Sequence, residues 1–137
     1  LDIILMEKLL LCGANHIALT SVTDGALLHF MRAADLYVFF SNALDNAIES
    51  VLQAAEEDRN IFVSVERREK WVRICIENVC VKKLVFVDGL PLTTKDDRRY
   101  HGYGTKSIRR IAEKYGGTVV MRQEGRRFIL SALFEEI

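Results

Sequence analysis

The spacing of apolar residues predicts a helix and a strand at the start of the chain. Residues 1–12 hold closely spaced apolar side chains, which indicates a helix that is buried on much of its surface. Residues 16–22 alternate between apolar and polar and predict a strand, and Asp24 with Gly25 forms a turn signal after it. Residues 26–31 match neither period, so no element is predicted there.

The middle of the chain carries the clearest helix and a hairpin. With Asp35 as its N-cap, apolar residues recur every three or four positions, and this helix is expected to end near Asp58. Residues 61–65 and 72–76 then alternate on either side of a polar turn at residues 67–70. Two alternating runs joined by a short polar turn predict a β-hairpin.

The last part of the chain is predicted as a long loop, a helix and a second hairpin. Residues 79–103 contain the one proline and many charges, and a loop of this length in a compact domain is usually functional. A helix is predicted over residues 105–115 because its apolar residues share one side and two glycines follow it. Strands are predicted over residues 118–123 and 126–134.

Together these elements predict an α+β fold, with residues 1–137 forming a single domain. Strands that are joined mainly as hairpins form a mixed, mostly antiparallel sheet, and helices on one face of it complete a two-layer sandwich. A chain of 137 residues with 50% hydrophobic side chains is long enough to bury such a core without disulfides or metal. A doubly wound parallel sheet is disfavoured.

The charges balance overall but are segregated along the chain. Residues 35–58 carry six acidic side chains and no lysine or arginine, whereas residues 80–114 carry nine basic side chains against four acidic ones. The chain lacks the overall basic excess of a nucleic-acid-binding protein, and no aromatic stacking platform accompanies the basic stretch at residues 95–110. We therefore expect no nucleic acid partner, while a local site for an anion stays open.

The cysteines indicate a reducing compartment. Cys12, Cys75 and Cys80 form no CxxC pair and are odd in number, so we expect buried thiols and neither a zinc site nor a disulfide framework. No apolar run approaches the roughly 18 residues of a membrane helix, and no signal-peptide pattern is visible. We therefore expect a cytoplasmic domain without a membrane span.

The central helix presents an unusual polar ridge. At about 100° per residue, Asn42, Asn46, Glu49 and Gln53 fall within roughly 60° of one another. A solvated helix face is the simplest interpretation of such a ridge. Asparagine is a poor helix former, however, and two of them one turn apart need another reason. Oxygen donors on adjacent turns, with Asp45 nearby, suit Mg²⁺, which keeps several waters and binds phosphate oxygens.

Two further polar segments stand where elements meet. Residues 101–107 place Gly102 and Gly104 where the long loop becomes a helix, so the backbone can approach a ligand closely and the helix N-terminus can face a phosphate. They match neither a P-loop nor a dinucleotide fingerprint, and a loop hinge is the alternative. Glu77 and Asn78 end a hairpin strand, where an exit to solvent is the alternative. The three segments occur in the order that a metal–nucleotide cleft needs.

These segments are similar to motifs of the GHKL ATPase superfamily. Residues 41–49 resemble its N box, and the Asp-Asn-Ala-Ile-Glu form at residues 45–49 is typical of quorum-sensing, peptide-responsive bacterial sensor histidine kinases. The second glycine box of that group, its helix and its loop are matched by residues 101–104, 106–108, 114–117 and 90–95. The resemblance covers nearly the whole chain.

The resemblance implies a Bergerat-type site for ATP and Mg²⁺. Asn46 would be the metal ligand and, with Asn42, a catalytic residue, and residues 79–103 would form the ATP lid. Asn78 matches by position the aspartate that contacts the adenine amino group, and its carbonyl can accept a hydrogen bond from that amine. The other residues implied at the nucleotide are Asp45, Glu49, Lys95, His101, Gly102, Tyr103, Gly104 and Thr105.

Departures from the family pattern favour phosphoryl transfer over hydrolysis. Where hydrolysing members carry a glutamate base, this chain has Asn42, which cannot accept a proton at neutral pH. Transfer to an external nucleophile, as in kinases, is the reaction that then fits. Thr105 stands in place of the usual leucine, and the first glycine box is missing after Asn78, so we expect weak affinity for ATP.

A histidine kinase also needs an acceptor histidine on a dimerising helical hairpin. His16 starts a predicted strand and His29 lies in an apolar stretch, so we expect both to be structural. The chain is therefore expected to be the catalytic domain of a longer, homodimeric, membrane-bound receptor. From the cytosol it would act on the dimerisation domain and, through it, on a response regulator. A regulatory nucleotide-binding module that binds a protein partner without phosphoryl transfer is the alternative.

Overall fold

The computed structural model of the protein describes residues 1–92 and 101–135. Its helices are α1 (Asp2–Ala14), α2 (Ala33–Val51) and α3 (His101–Lys114), and 3-10 turns lie at Gly25–Leu28 and Glu56–Asp58. Its strands are β1 (Ala18–Thr23), β2 (Asn60–Arg68), β3 (Trp71–Val79), β4 (Phe86–Val87), β5 (Leu90–Pro91), β6 (Thr118–Glu124) and β7 (Arg127–Glu135). The helices and long strands follow one another in the predicted order.

Five strands form one mixed sheet in the order β1-β2-β3-β7-β6. β1 runs parallel to β2, and the other pairs of this sheet are antiparallel. β1 is parallel because the chain returns to β2 through α2, whereas the β2–β3 and β6–β7 pairs are joined by tight turns. The predicted mixed, mostly antiparallel sheet and the α+β class are confirmed. β4 and β5 pair separately as a small hairpin.

The core lies between this sheet and helices α2 and α3. Phe39, Phe40 and Leu44 of α2 are fully enclosed and belong to one cluster with Val63 of β2 and Ile74 of β3. Burying a side chain of this size contributes about 1.5–3 kcal/mol. The apolar repeat of α2 therefore decides which side of the helix meets the sheet, and its polar ridge turns away from the centre of the core.

The start of α2 differs from the sequence prediction. The helix begins at Ala33, so the N-cap predicted at Asp35 is wrong, and Asp35 is instead the third helical residue. Its carboxylate accepts hydrogen bonds from Lys114 Nζ at 2.7 Å and from Tyr115 Oη at 2.5 Å. Lys114 and Tyr115, at the end of α3, therefore bind the Asp35 side chain that the sequence suggested as the N-cap of α2.

The end of α2 also differs from the prediction. The helix ends at Val51 and does not reach Asp58. Beyond Val51 the guanidinium of Arg59 donates to the carbonyl oxygens of Leu52 at 3.5 Å and Ala54 at 3.3 Å. Such bonds satisfy carbonyl groups that a helix end leaves without partners. The apolar repeat in the sequence extends beyond Val51 because Ala54, in the turn after the helix, is also buried in the core.

The helix α3 begins at His101, earlier than the predicted start at Thr105. Gly102 and Gly104 therefore lie in the first turns of the helix and not in the loop before it. Gly104 faces α2, because a Cβ built on it would lie 3.5 Å from Asn42 Oδ1. Packing between the two helices offsets the weak helix propensity of glycine, which sequence propensity alone does not register.

The segment predicted as one long loop, residues 79–103, is partly regular. It contains the β4–β5 hairpin, whose turn residues Asp88 and Gly89 both have positive φ, 55° and 77°. The positive φ values agree with the turn signal that an aspartate–glycine pair gives. Residues 93–100, and with them Lys95, lie outside the described residues.

Two glycines end α3, as predicted. Gly116 has a φ of 72°, in the left-handed region, and the N–H of Gly117 donates to Ala112 O at 2.8 Å. A Cβ on Gly117 would collide with the ring of Phe134 and lie 2.6 Å from Leu133 O. The backbone conformation therefore favours glycine at the first position, and the lack of space requires it at the second.

Candidate functional site

A pocket with a volume of about 330 Å³ opens beside the C-terminal half of α2, the end of β3 and the β4–β5 hairpin. This volume is in the range of small-molecule sites. The pocket joins the polar ridge of α2 to the strand end that the sequence singled out. Its lining residues are Asn46, Glu49, Ser50, Gln53, Asn78, Cys80, Lys82, Lys83, Leu84, Val85, Pro91, Leu92, Thr105 and Phe128.

Asn78 is a buried polar residue of this pocket and is only 1% exposed. Its Nδ2 donates to Val79 O at 2.9 Å, and Ser50 Oγ donates to the same oxygen at 3.1 Å. Because only the NH₂ half of the amide can donate to a carbonyl, this bond decides which way the amide points. Asn78 Oδ1 is left without a hydrogen-bond partner among the described residues. A buried acceptor without a donor costs free energy, so this position suits a ligand that brings a donor.

The α2 ridge supplies the second side of the pocket. Asn46, Glu49 and Gln53 line it, as the helical spacing predicted that they would share one side. Asn42, one turn earlier, is not among the lining residues and packs against Gly104. The ridge therefore divides into Asn42, which lies at the contact between α2 and α3, and the later residues Asn46, Glu49 and Gln53, which line the pocket.

Asp45 lies outside the pocket although it belongs to the same sequence motif. Its Oδ1 is 2.7 Å from Lys8 Nζ on α1. Asp45 is exposed, and an exposed ion pair of this kind contributes little to stability. The structure thus places Asp45 between α1 and α2 and not in the pocket, although the family resemblance implied it at the nucleotide.

The wall opposite α2 contains residues that the sequence did not single out. Lys82, Lys83, Leu84 and Val85 follow β3 without regular secondary structure and line the pocket, and Phe128 of β7 joins them. Lys82 and Lys83, two adjacent basic residues shortly after a strand end, are a sequence signal that could have pointed to this wall. No local signal pointed to Phe128, because a contact across the sheet depends on the strand order.

The start of α3 reaches the pocket at Thr105. This residue is 3% exposed and lines the pocket, whereas the neighbouring Gly104 is buried against α2. Gly102 belongs to the first helical turn. The side chains of His101 and Tyr103, like Lys95, lie outside what the structure describes.

At the other end, α3 is tied to the start of α2. The hydrogen bonds from Lys114 and Tyr115, in this order of effect, lower the pKa of Asp35 below its ordinary value. Tyr115 Oη in turn accepts a hydrogen bond from the Arg32 backbone N–H at 2.9 Å. We call these four residues, Arg32, Asp35, Lys114 and Tyr115, the α2–α3 tie.

The cysteines are free and buried, as predicted. Burial raises the pKa of the Cys12 and Cys75 thiols. Cys80 lines the pocket, and its Sγ donates to Lys82 O at 3.2 Å.

The described residues outside the pocket add little to the candidate chemistry. At the surface, His16 Nδ1 lies 3.4 Å from Glu56 Oε1, and His29 Nδ1 lies 3.1 Å from Ala26 O. Within residues 1–92 and 101–135, no cluster of three or more His, Cys, Asp or Glu side chains is arranged to hold a metal ion. None of the helices in that part of the chain is both long and apolar enough to cross a bilayer.

Comparisons with known proteins identify the family and the fold of the chain. Residues 31–135 match the family described as the GHKL domain, and no curated protein matches the sequence. The catalytic domain of the histidine kinase ThkA, in a nucleotide-free form, has a similar structure with a TM-score of 0.72 at 18% identity, covering 99% of this chain and 92% of that domain.

Two longer kinases contain a similar fold. The histidine kinase AdeS of Acinetobacter baumannii gives a TM-score of 0.60 at 14% identity, covering 98% of this chain and 64% of that one. The blue-light activated histidine kinase EL346 of Erythrobacter litoralis gives 0.62 at 14% identity, covering 96% of this chain and 58% of that one. At such low identity the likeness shows a shared fold.

Proposed function

The chain belongs to the GHKL domain family, and from that membership and the pocket geometry we propose that it is the ATP-binding catalytic domain of a bacterial sensor histidine kinase. In this proposal residues 1–137 form one domain that binds Mg²⁺ and ATP. It transfers the γ-phosphoryl group to a histidine on a dimerisation hairpin. The observation that carries the proposal is the buried, unpartnered carbonyl of Asn78 in the pocket.

The acceptor at Asn78 fits the adenine base. The exocyclic amine of adenine is a donor that can complete the hydrogen bonding of Oδ1, while the second hydrogen of Nδ2 can reach a ring nitrogen. Leu84, Val85 and Phe128 line the same pocket and offer apolar surface to a flat base. The residues present therefore fit a purine with an amino group.

The α2 side of the pocket fits a hydrated cation and phosphates. Asn46 and Glu49 carry oxygen donors on adjacent turns, and they are the residues that would hold Mg²⁺, with Asn46 as the main ligand. When bound, Mg²⁺ neutralises phosphate charge and orients the transferred group. Lys82 and Lys83 bring positive charge to the same pocket.

The chain's own residues favour transfer over hydrolysis. Asn42 stands where hydrolysing relatives carry a glutamate, and its amide cannot take a proton from water at neutral pH. The N-terminal end of α3, which contains Gly102 and Gly104, carries the partial positive charge of the helix dipole, and Thr105 lines the pocket there, so this end suits phosphates. The domain then acts by positioning and neutralising charge, and the acceptor histidine supplies the nucleophile.

The partner assignments extend this proposal to the whole receptor. We place the domain on the cytosolic side of a homodimeric, membrane-bound sensor of the quorum-sensing type, beside the dimerisation domain that carries the acceptor histidine. A response regulator then receives the phosphoryl group. The partial coverage of AdeS and EL346 supports the existence of further domains in kinases of this fold.

Calorimetric titration of the domain with ADP and ATP, with and without Mg²⁺, tests the proposal. We expect binding that Mg²⁺ strengthens, and the Asn46→Ala variant should lose the Mg²⁺-dependent part while still binding adenosine. Asp45→Ala is the matched control, because Asp45 is the neighbouring oxygen donor but lies outside the pocket. Absence of binding at millimolar nucleotide would overturn the proposal. Tight binding without transfer to the dimerisation hairpin would instead support a regulatory module.

A further inference from the structure

The far wall of the pocket is a segment without regular secondary structure. Residues 82–85 lie between β3 and β4, and each of them lines the pocket. Such a segment has no ladder of backbone hydrogen bonds of its own, so its N–H and C=O groups need other partners to keep one position. The identity of those partners decides how firmly the wall is held before a ligand arrives.

Gln123 of β6 supplies two of these partners from outside the pocket. Its Nε2 donates to Lys82 O at 2.8 Å, and its Oε1 accepts from the Leu84 N–H at 2.8 Å. A carboxamide carries a donor and an acceptor side by side, as a peptide group does. One side chain therefore binds two backbone groups of the segment, at Lys82 and Leu84. Cys80 Sγ also donates to Lys82 O at 3.2 Å, and the Leu92 N–H donates to Val85 O at 2.6 Å.

Other contacts hold the two ends of the segment. Before it, the Cys80 N–H donates to Arg126 O at 2.7 Å. After it, the rings of Phe86 and Phe128 are parallel within 5°, with centroids 6.5 Å apart. The Gln123 bonds act between these two anchors, at the part of the wall that faces the ligand space.

We propose that Gln123 is a positioning residue of the nucleotide site, which holds the Lys82–Val85 wall at the distance from Asn78 and α2 that the ligand needs. This inference rests on the proposed function, since the ligand is taken to be a nucleotide. A wall that is ordered in advance spares the ligand the cost of ordering it, and this raises affinity without any contact between Gln123 and the ligand.

Gln123→Met tests the role with little change in size. The methionine keeps the length of the side chain but can make neither hydrogen bond. We expect the affinity for Mg²⁺-ADP to fall about tenfold, and the affinity for adenosine to fall by a similar factor, because the base lies against this wall. Gln123→Glu keeps one acceptor for Leu84 but sets a carboxylate oxygen against Lys82 O, so it should bind as weakly as the methionine variant.

Val119→Ala is the control for a merely structural effect. Val119 lies on the same strand and packs against the core, and it is not one of the residues that line the pocket. Unfolding in urea and calorimetric titration are measured for all four proteins. A structural role alone would lower the stability of Gln123→Met, like that of Val119→Ala, and leave ADP affinity at the wild-type value.

The outcomes separate this inference from the proposed function. If the wild type binds neither ADP nor adenosine, the proposed function fails. If the wild type binds ADP and both Gln123 variants bind ADP with the affinity of the wild type, the proposed function stands and the positioning role is overturned. If Gln123→Met does not fold, urea unfolding and calorimetric titration of the Gln123→Glu variant test the positioning role instead.

Discussion

The carbonyl of Asn78 is a buried acceptor to which the described residues offer no donor. A buried acceptor without a donor costs roughly 1–3 kcal/mol, and the described surroundings of Asn78 Oδ1 offer none. Val79 O, in contrast, would keep Ser50 Oγ as a donor even if Asn78 were replaced. Asn78 is therefore a residue whose polar character is unfavourable for the fold of the free domain.

Replacing Asn78 by leucine should separate folding from binding. Asn78→Leu keeps the volume and removes the unpaired acceptor, so we expect the free energy of unfolding to stay unchanged or to rise by about 1 kcal/mol. Nucleotide affinity should fall more than tenfold. Urea unfolding and ADP titration measure the two quantities, and a strong loss of stability with normal binding would contradict the assignment.

Gly104 gives a second separation at the residue scale. A Cβ at this position would meet Asn42 Oδ1 at 3.5 Å, an ordinary contact, so the fold itself tolerates alanine. Gly104→Ala should therefore leave stability unchanged or raise it by about 0.5–1 kcal/mol, as expected for alanine in a helix. The added methyl group meets Asn42, which the family resemblance implies as a catalytic residue, so ATP affinity should fall while adenosine affinity does not. Gly13→Ala, in α1 with no atom within 4 Å of its Cβ, is the control.

At the scale of elements, the close packing of α3 on the sheet depends on one glycine. Gly117→Ala should destabilise the domain by about 2–4 kcal/mol, because its Cβ would meet Leu133 O at 2.6 Å and would also clash with Phe134. Gly116→Ala has space around its Cβ but a φ of 72°, so it should cost only about 1–2 kcal/mol. Thermal or urea unfolding measures both, and equal effects would argue against the packing explanation.

Helices and strands were predictable where apolar residues recur over many positions along one face of the element. The apolar repeat of α2 and the alternating strands of both hairpins appear directly in the sequence because each has one buried face. Both ends of α2 and the start of α3 were not predictable, since Asp35, Arg59 and Gly104 meet partners from other elements that no local window contains.

The candidate site was predictable in part for the same reason. Asn46, Glu49 and Asn78 stand in motifs whose residue types are unusual for their positions, and the pocket brings them together. Phe128 reaches the pocket, and Gln123 reaches the wall behind it, through the order of the strands, which the sequence left unproven. Asp45 shares the motif but points toward α1, because adjacent residues on a helix lie about 100° apart.

At the scale of the whole molecule, the α2–α3 tie links stability to pH. The pKa of Asp35 is lowered in the folded protein, so its ionised form contributes stability that is present above the ordinary pKa of 3.8 and is lost as pH falls through the lower folded value. Asp35→Asn should therefore flatten the loss of stability in the acid range, while reducing stability near neutral pH. Urea unfolding between pH 3 and pH 7, roughly the range where carboxylates titrate, measures the difference. Parallel curves would show that the tie contributes nothing.

The α2–α3 tie holds the two helices together at one end of the pair. Asp35 and Lys114 meet at one end of the pair, whereas Asn42 and Gly104 meet nearer the pocket, so the helices run in opposite directions. A rigid tilt of α3 about the tied end would displace Thr105, at the pocket, farther than Lys114. Asp35, which lies outside the pocket, would thereby limit how far the start of α3 can move relative to α2.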